Sequence, residues 1–309
     1  QINKDTAAAK AHLFAPRAAY RAPGYSAEIN AYFAEAPKET VTLEILDAKA
    51  NVARSYTIRP PREGEVQAEQ PSEFGGFGRE PRLSLKAGFN RLAWNMTYDP
   101  IFTIPPRIVM WGGGGGGPRA VPGGYQVRLK AGDFSQTQPL QVLKDPRNPT
   151  TDADYAEQHE LARQVGGKIK ELYDNLLQLR DVRRQASEIA QRLEQGGYGK
   201  EATAAAKALG EKLTGIEGEL TQLKGEGGQD ALNYPGRLDN QWVKLYSEVV
   251  SPDGKVSAGS RQRFEDLKPE LAKHLAQLKQ VLDTDLAGFN KLVREKGAPA
   301  VIVSGSTRR

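Results

Sequence analysis

Apolar residues return at every second position in the first half of the chain and at every third or fourth position in the second. Val41, Leu43 and Ile45 alternate with Thr42 and Glu44. Leu92, Trp94 and Met96 alternate with Ala93 and Asn95, and Tyr125, Val127 and Leu129 with Gln126, Arg128 and Lys130. Leu140 and Val142 continue the pattern, and EINAYFAE at 28–35 is a further candidate. A period of two with one apolar face predicts strands that cover a core on one side and meet water on the other. Turn-forming residues separate the runs at Asp47-Ala48-Lys49, Lys86-Ala87-Gly88 and Pro122-Gly123-Gly124. Short strands with no helical pattern between them point to an antiparallel sandwich. The stretch 60–81, rich in Pro, Gly and Glu, reads as a long loop.

From Pro149 the period changes. Leu161, Val165, Ile169, Leu172, Leu176 and Leu179 follow steps of three and four, continued by Ala186, Ile189 and Leu193 and closed by Gly196-Gly197. Leu209, Leu213, Ile216, Leu220 and Leu223 repeat the pattern before Gly225 and Gly227-Gly228. Leu238, Trp242, Leu245 and Val249 repeat it before Pro252. A fourth run extends from Phe264 through Leu271 and Leu278 to Phe289, with Gly297 and Pro299 beyond it. These are amphipathic helices. The first and last would be about 40 and about 35 residues long if unbroken. None hides its own stripe, so the pattern predicts an antiparallel bundle of three to four helices. Thr150-Thr151-Asp152 supplies N-cap chemistry for the first helix, and Ser257 or Ser260 for the last. The boundary is KDPRNPTTD at 144–152, where prolines flank the change of period. The expected organisation is β in 1–147, helical in 148–298, and a flexible tail in 299–309.

Composition narrows the class. Hydrophobic residues make up 39% of the chain and charged residues 26%. No stretch approaches the roughly 18 uninterrupted apolar residues of a spanning helix. The N-terminus lacks the apolar centre of a signal peptide and starts at Gln1, the expectation for a processed chain or a fragment. The absence of cysteine excludes disulfides, thiolate metal sites and cysteine nucleophiles. The net charge is +5, but Lys and Arg are interspersed with nearly as many acids. That is a mixed-charge solvated surface, and nucleic acid is not an expected partner.

The candidate chemistry centres on residues 111–118, WGGGGGGP. A phosphate loop needs glycines followed by Lys and Ser/Thr at a helix start, because backbone N–H groups and the helix N-terminus bind the anion. Here Pro118-Arg119-Ala120-Val121-Pro122 and then a strand follow, so a nucleotide role is not expected. The three histidines, His12, His159 and His274, lie far apart in sequence. None forms a metal-binding motif, and His159 and His274 read as solvated helix positions. There is no G-x-S-x-G elbow. No cofactor is expected. Trp94 and Trp242 read as core. Trp111 beside the glycines either stacks on a sugar or anchors a partner, or folds back to seal the edge of the sandwich.

Three stretches, in order, carry a family resemblance. They are AHLFAPRAAYR (11–21) with EAPKETVTLEILDAKANVAR (35–54); LKAGFNRLAWNMTYDP (85–100) with VPGGYQVRLKAGDFSQTQPLQVLKDPR (121–147); and GQDALNYPGRLDNQWVKLYSEVVSPDGKVSAGSRQRFEDLKPELAKHLAQL (228–278). Together they resemble the C-terminal region of exported bacterial proteins built on BNR-repeat or sortilin-like β-propellers, often labelled glycosyl hydrolase-like or sialidase-like. The resemblance implies an immunoglobulin- or fibronectin-like sandwich followed by a helical domain, and secretion or a periplasmic location. The propellers' Asp-box repeats do not occur here, so no catalytic residue carries over.

Three functional readings follow. The first is a non-catalytic accessory region that packs on, orients or oligomerises the propellers of the same or a parent polypeptide. The second is a carbohydrate- or envelope-binding module, with Trp111, Phe74 and Phe77 as candidate contacts; it predicts exposed aromatics lined up on one surface. The third is an enzyme, either in this chain or through an active site in absent propellers.

Overall fold

The computed structural model describes residues 8–60, 84–110, 116–197, 200–225 and 232–296. The chain is β first and then α. Its strands are β1 (Ala11–Leu13), β2 (Ala19–Arg21), β3 (Ala27–Phe33), β4 (Val41–Leu46), β5 (Val52–Ile58), β6 (Gly88–Trp94), β7 (Gly123–Ala131) and β8 (Phe134–Lys144). The helices are α1 (Asp152–Gln195), α2 (Lys200–Leu220), α3 (Leu238–Val250), α4 (Ala258–Val281) and α5 (Ala287–Glu295). A π-helical turn, Leu282–Leu286, joins the last two.

Two compact units interleave along the chain. One comprises 1–101, 114–164 and 248–257, and the other 102–113, 165–247 and 258–309.

The first unit holds both sheets. A three-stranded sheet has the order β1-β3-β6, and a five-stranded sheet the order β2-β8-β7-β4-β5. All pairings are antiparallel except β2 with β8. The alternation of β3, β4, β6 and β7 works as the period-two reading expects. The apolar phase of each strand is buried, and Ile29, Ile45, Leu92, Trp94, Val127 and Leu129 enter one core drawn from both sheets. Strands β1 and β2 are three residues long and too short to show a period. In β5 the alternation is broken, and a register shift falls opposite it between Ile45 and Leu46.

Side chains finish what the ladders leave open. Gln136 accepts from the Leu13 N–H at 2.8 Å and donates back to the Leu13 carbonyl, so a side-chain amide of β8 satisfies the edge of β1. In the 47–51 turn, Asp47 Oδ1 accepts from the N–H groups of Lys49 and Asn51, and Ala50 takes φ +62°. The α1 start carries reciprocal capping: Asp154 N–H donates to Thr151 Oγ1, and Thr151 N–H to Asp154 Oδ2.

The end of the glycine run is tied down. Tyr98 N–H donates to the Pro118 carbonyl at 2.9 Å, and Ala120 N–H to the Met96 carbonyl at 2.7 Å. Gly117 lies so close to this segment that a Cβ would fall 1.7 Å from the Tyr98 carbonyl oxygen. A Cβ added at Gly116 would meet no atom within 4 Å. Trp111 itself lies outside the described residues.

In the second unit, Leu179, Ala186 and Ala190 of α1 share a core with Ala206, Leu209 and Leu213 of α2, Leu278 of α4 and Phe289 of α5. Helix α1 ends at paired glycines, and Gly197 adopts φ +78°, the left-handed conformation that terminates helices at little cost for glycine. Phe102 packs edge-on against Tyr246, ring centroids 5.1 Å apart, and against Tyr173.

Candidate functional site

Phe74, Phe77 and Trp111 lie outside the described residues. Trp94 and Trp242 are fully buried, as their phase in the strand and helix patterns indicates. The aromatic surface is elsewhere, on the outer face of the three-stranded sheet.

Register builds that face. His12 of β1 pairs with Tyr32 of β3, and Tyr32 with Phe89 of β6. Because side chains alternate along each strand, all three share the face opposite the core and form a row across the sheet. Phe14, just past β1, extends the ladder by donating its N–H to the Asn30 carbonyl at 3.0 Å. Its ring meets His12 edge-on at 4.7 Å and reaches across the middle strand to Phe89 at 6.0 Å. Phe89 is 42% exposed, and His12, Phe14 and Tyr32 are half-buried. The next row pairs Asn30 with Arg91. Arg91 lies 3.6 Å from Glu28, and both are well exposed, so the strands carry one ion pair beside the rings.

The signal for this face was present in the sequence. Tyr32 and Phe89 are aromatics in the polar phase of their strands, where a solvated position has no need of a ring.

The buried ionisable groups are occupied differently. In the first unit Arg21, wholly buried, donates through Nε to Asp253 at 2.8 Å, through Nη1 to the Ala120 carbonyl at 2.9 Å, and through Nη2 to Gln158 Oε1 at 2.6 Å. Its guanidinium lies 4.3 Å from the Tyr155 ring centre. Burial pulls the Arg21 pKa down, and the Asp253 carboxylate opposes that. Gln158 in turn donates to the carbonyls of Val249 and Pro252, and Asn148 to that of Asp253. Every partner belongs to the framework, so the cluster is a cross-link.

His159, read from sequence as solvated, packs on Tyr98 with ring centroids 4.6 Å apart. Its Nδ1 lies 3.1 Å from the Arg119 carbonyl, which only accepts, so Nδ1 carries the hydrogen. Burial lowers its pKa, the hydrogen bond to that carbonyl notwithstanding. His159 is thus half-buried, and His274 is buried, 3.1 Å from Gln277 Oε1. Both depart from the sequence expectation because amphipathic helix faces leave the intermediate positions ambiguous.

In the second unit, Glu217 is buried between Arg180 at 2.6 Å and Arg183 at 2.5 Å. Asp239 is fully buried at the start of α3. It accepts from Thr221 Oγ1 at 2.7 Å and from the Asn240 N–H, yet burial outweighs both and pushes its pKa up to about 6. Neither carboxylate belongs to a metal-ligand group, and none of three or more His, Cys, Asp or Glu occurs among the described residues. No helix among them is long and apolar enough to cross a membrane.

Comparison with family models, with curated proteins and with solved structures gives no match.

Proposed function

We propose that this chain is a non-catalytic structural and interaction region, with an immunoglobulin-like sandwich and an antiparallel helical bundle as its two architectures. The observation that carries the reading is the division of labour among its polar and aromatic groups. Buried charges such as Arg21 and Glu217 are engaged by framework partners, while aromatic side chains are spent on an outer sheet face. An enzyme places its perturbed ionisable groups where a substrate reaches them; Asp239, whose pKa is raised, is instead sealed in a core. The core shared by the two sheets supports the sandwich, and the joint core of α1, α2, α4 and α5 supports the bundle.

The sequence resemblance supports a setting within a secreted or periplasmic BNR-repeat or sortilin-like propeller protein. Intact-mass measurement and N-terminal sequencing of the native gene product test that setting: a product that contains no propellers overturns it. Incubation of the chain with panels of glycans and peptides, read by mass spectrometry, tests the non-catalytic reading. Unchanged substrates are expected, and turnover abolished by a point substitution in the chain overturns it. The second reading, a carbohydrate- or envelope-binding module, draws on the aromatic row.

A further inference from the structure

Resting on the interaction reading above, we propose that the outer face of the three-stranded sheet binds a neutral, extended, β-linked glycan. A pyranose ring with equatorial hydroxyls has apolar C–H faces and a polar rim. It is recognised by an aromatic surface that takes the C–H face and by planar polar groups that take the rim. The sheet places both kinds of group side by side. Register sets His12, Tyr32 and Phe89 in one row, with Phe14 bridging towards Phe89. Glu28 and Arg91 stand beside them with exposed heads. Three strands span about 10 Å from first to last, a strip suited to a chain that lies extended.

Charge selects among ligands. Beside His12, the outward-facing charged side chains of β1, β3 and β6 are Glu28 and Arg91, which offset each other at 3.6 Å. A polyanion gains no net attraction from such a pair, and an acidic or basic peptide none that is specific. A polyol gains an acceptor and a fork of donors held in place. The apolar area is interrupted by Asn30 and by the ion pair, which a partner with a continuous hydrophobic face would leave desolvated and poorly matched.

The test uses the full chain and calorimetric titration with cellohexaose and chitohexaose, with α-linked maltohexaose as the contrast. Binding of a β-linked oligomer is expected, weakened about tenfold or more in the Tyr32→Ala/Phe89→Ala double variant. Arg91→Ala is expected to weaken it to a smaller extent. Tyr20→Ala, an exposed aromatic on the other sheet, is expected to leave it unchanged. Thermal melts of each variant separate lost binding from lost folding, and Phe89→Leu keeps the apolar volume while removing the ring. Failure of the wild-type chain to bind either β-linked oligomer overturns the proposal, as does equal affinity for maltohexaose. Undiminished binding by the folded double variant or by Phe89→Leu overturns the site. Shortened oligomers in the calorimeter cell would instead overturn the non-catalytic reading, so the two failures are distinguishable.

Discussion

A single hydrogen-to-methyl change at Gly117 meets a carbonyl oxygen 1.7 Å away, whereas the same change at Gly116 meets open space. Gly117→Ala is therefore expected to force the Tyr98–Asp99 backbone aside and lower stability by about 2–3 kcal/mol, in the range of overpacked cores. Gly116→Ala is expected to change it by less than about 0.5 kcal/mol. Urea denaturation of the two variants checks the contrast, and equal midpoints would contradict it. The glycine run thus contains at least one position required by close backbone approach. That requirement was invisible in the sequence, because six identical residues carry no mark of which one another segment touches.

Among elements, Arg21 shows how a three-residue strand is anchored. It joins β2 to the Ala120 carbonyl, to Gln158 on the first turns of α1 and to Asp253. Removing the guanidinium takes from the Asp253 carboxylate its 2.8 Å partner, leaving Arg119 at 3.6 Å, and leaves the buried Gln158 amide oxygen without its donor. Arg21→Ala is expected to cost about 3–5 kcal/mol in chemical denaturation. Arg21→Lys is expected to recover only a small part, because one ammonium cannot reach three acceptors in different directions as a guanidinium does. A lysine variant as stable as the parent would show that charge alone suffices. Nothing in AYR marks its arginine as buried. The long-range partners, separated by up to 232 residues, are what bury it.

For the molecule as a whole, a buried carboxyl and a half-buried imidazole tilt stability with pH in opposite directions. Asp239 has a folded pKa of about 6, above the ordinary carboxylate value, so protonation favours the fold. Its contribution is fully present below about pH 4 and lost as pH rises through 6. Asp239→Asn keeps hydrogen-bonding capacity towards Thr221 and Asn240 without the buried charge. It is expected to raise stability at pH 7–8 by up to about 3 kcal/mol and to remove that decline. His159 has a lowered folded pKa, so its contribution is present above its unfolded value near 6.5 and lost as pH falls. His159→Gln, which retains a donor for the Arg119 carbonyl, is expected to flatten the acid side of the profile. Melting curves from pH 4 to 8 check both, and a slope of the wrong sign in either variant contradicts the assignment.

The sequence by itself determined the order β then α, the faces that β4, β6 and β7 bury, and the burial of Trp94 and Trp242. These follow from local periodicity, since a strand or helix that hides one face must repeat apolar residues at its own period. The N-cap at Thr151 and the stop at Gly197 were legible for the same reason, because capping is chemistry among near neighbours. Only the tertiary structure decided the rest. It interleaved the two units, buried Arg21 and His274, half-buried His159 against Tyr98, and lined up His12, Tyr32 and Phe89 across three strands. Each of these depends on which segments distant in sequence become neighbours. Strand register and packing settle that, and neither is a property of any local window.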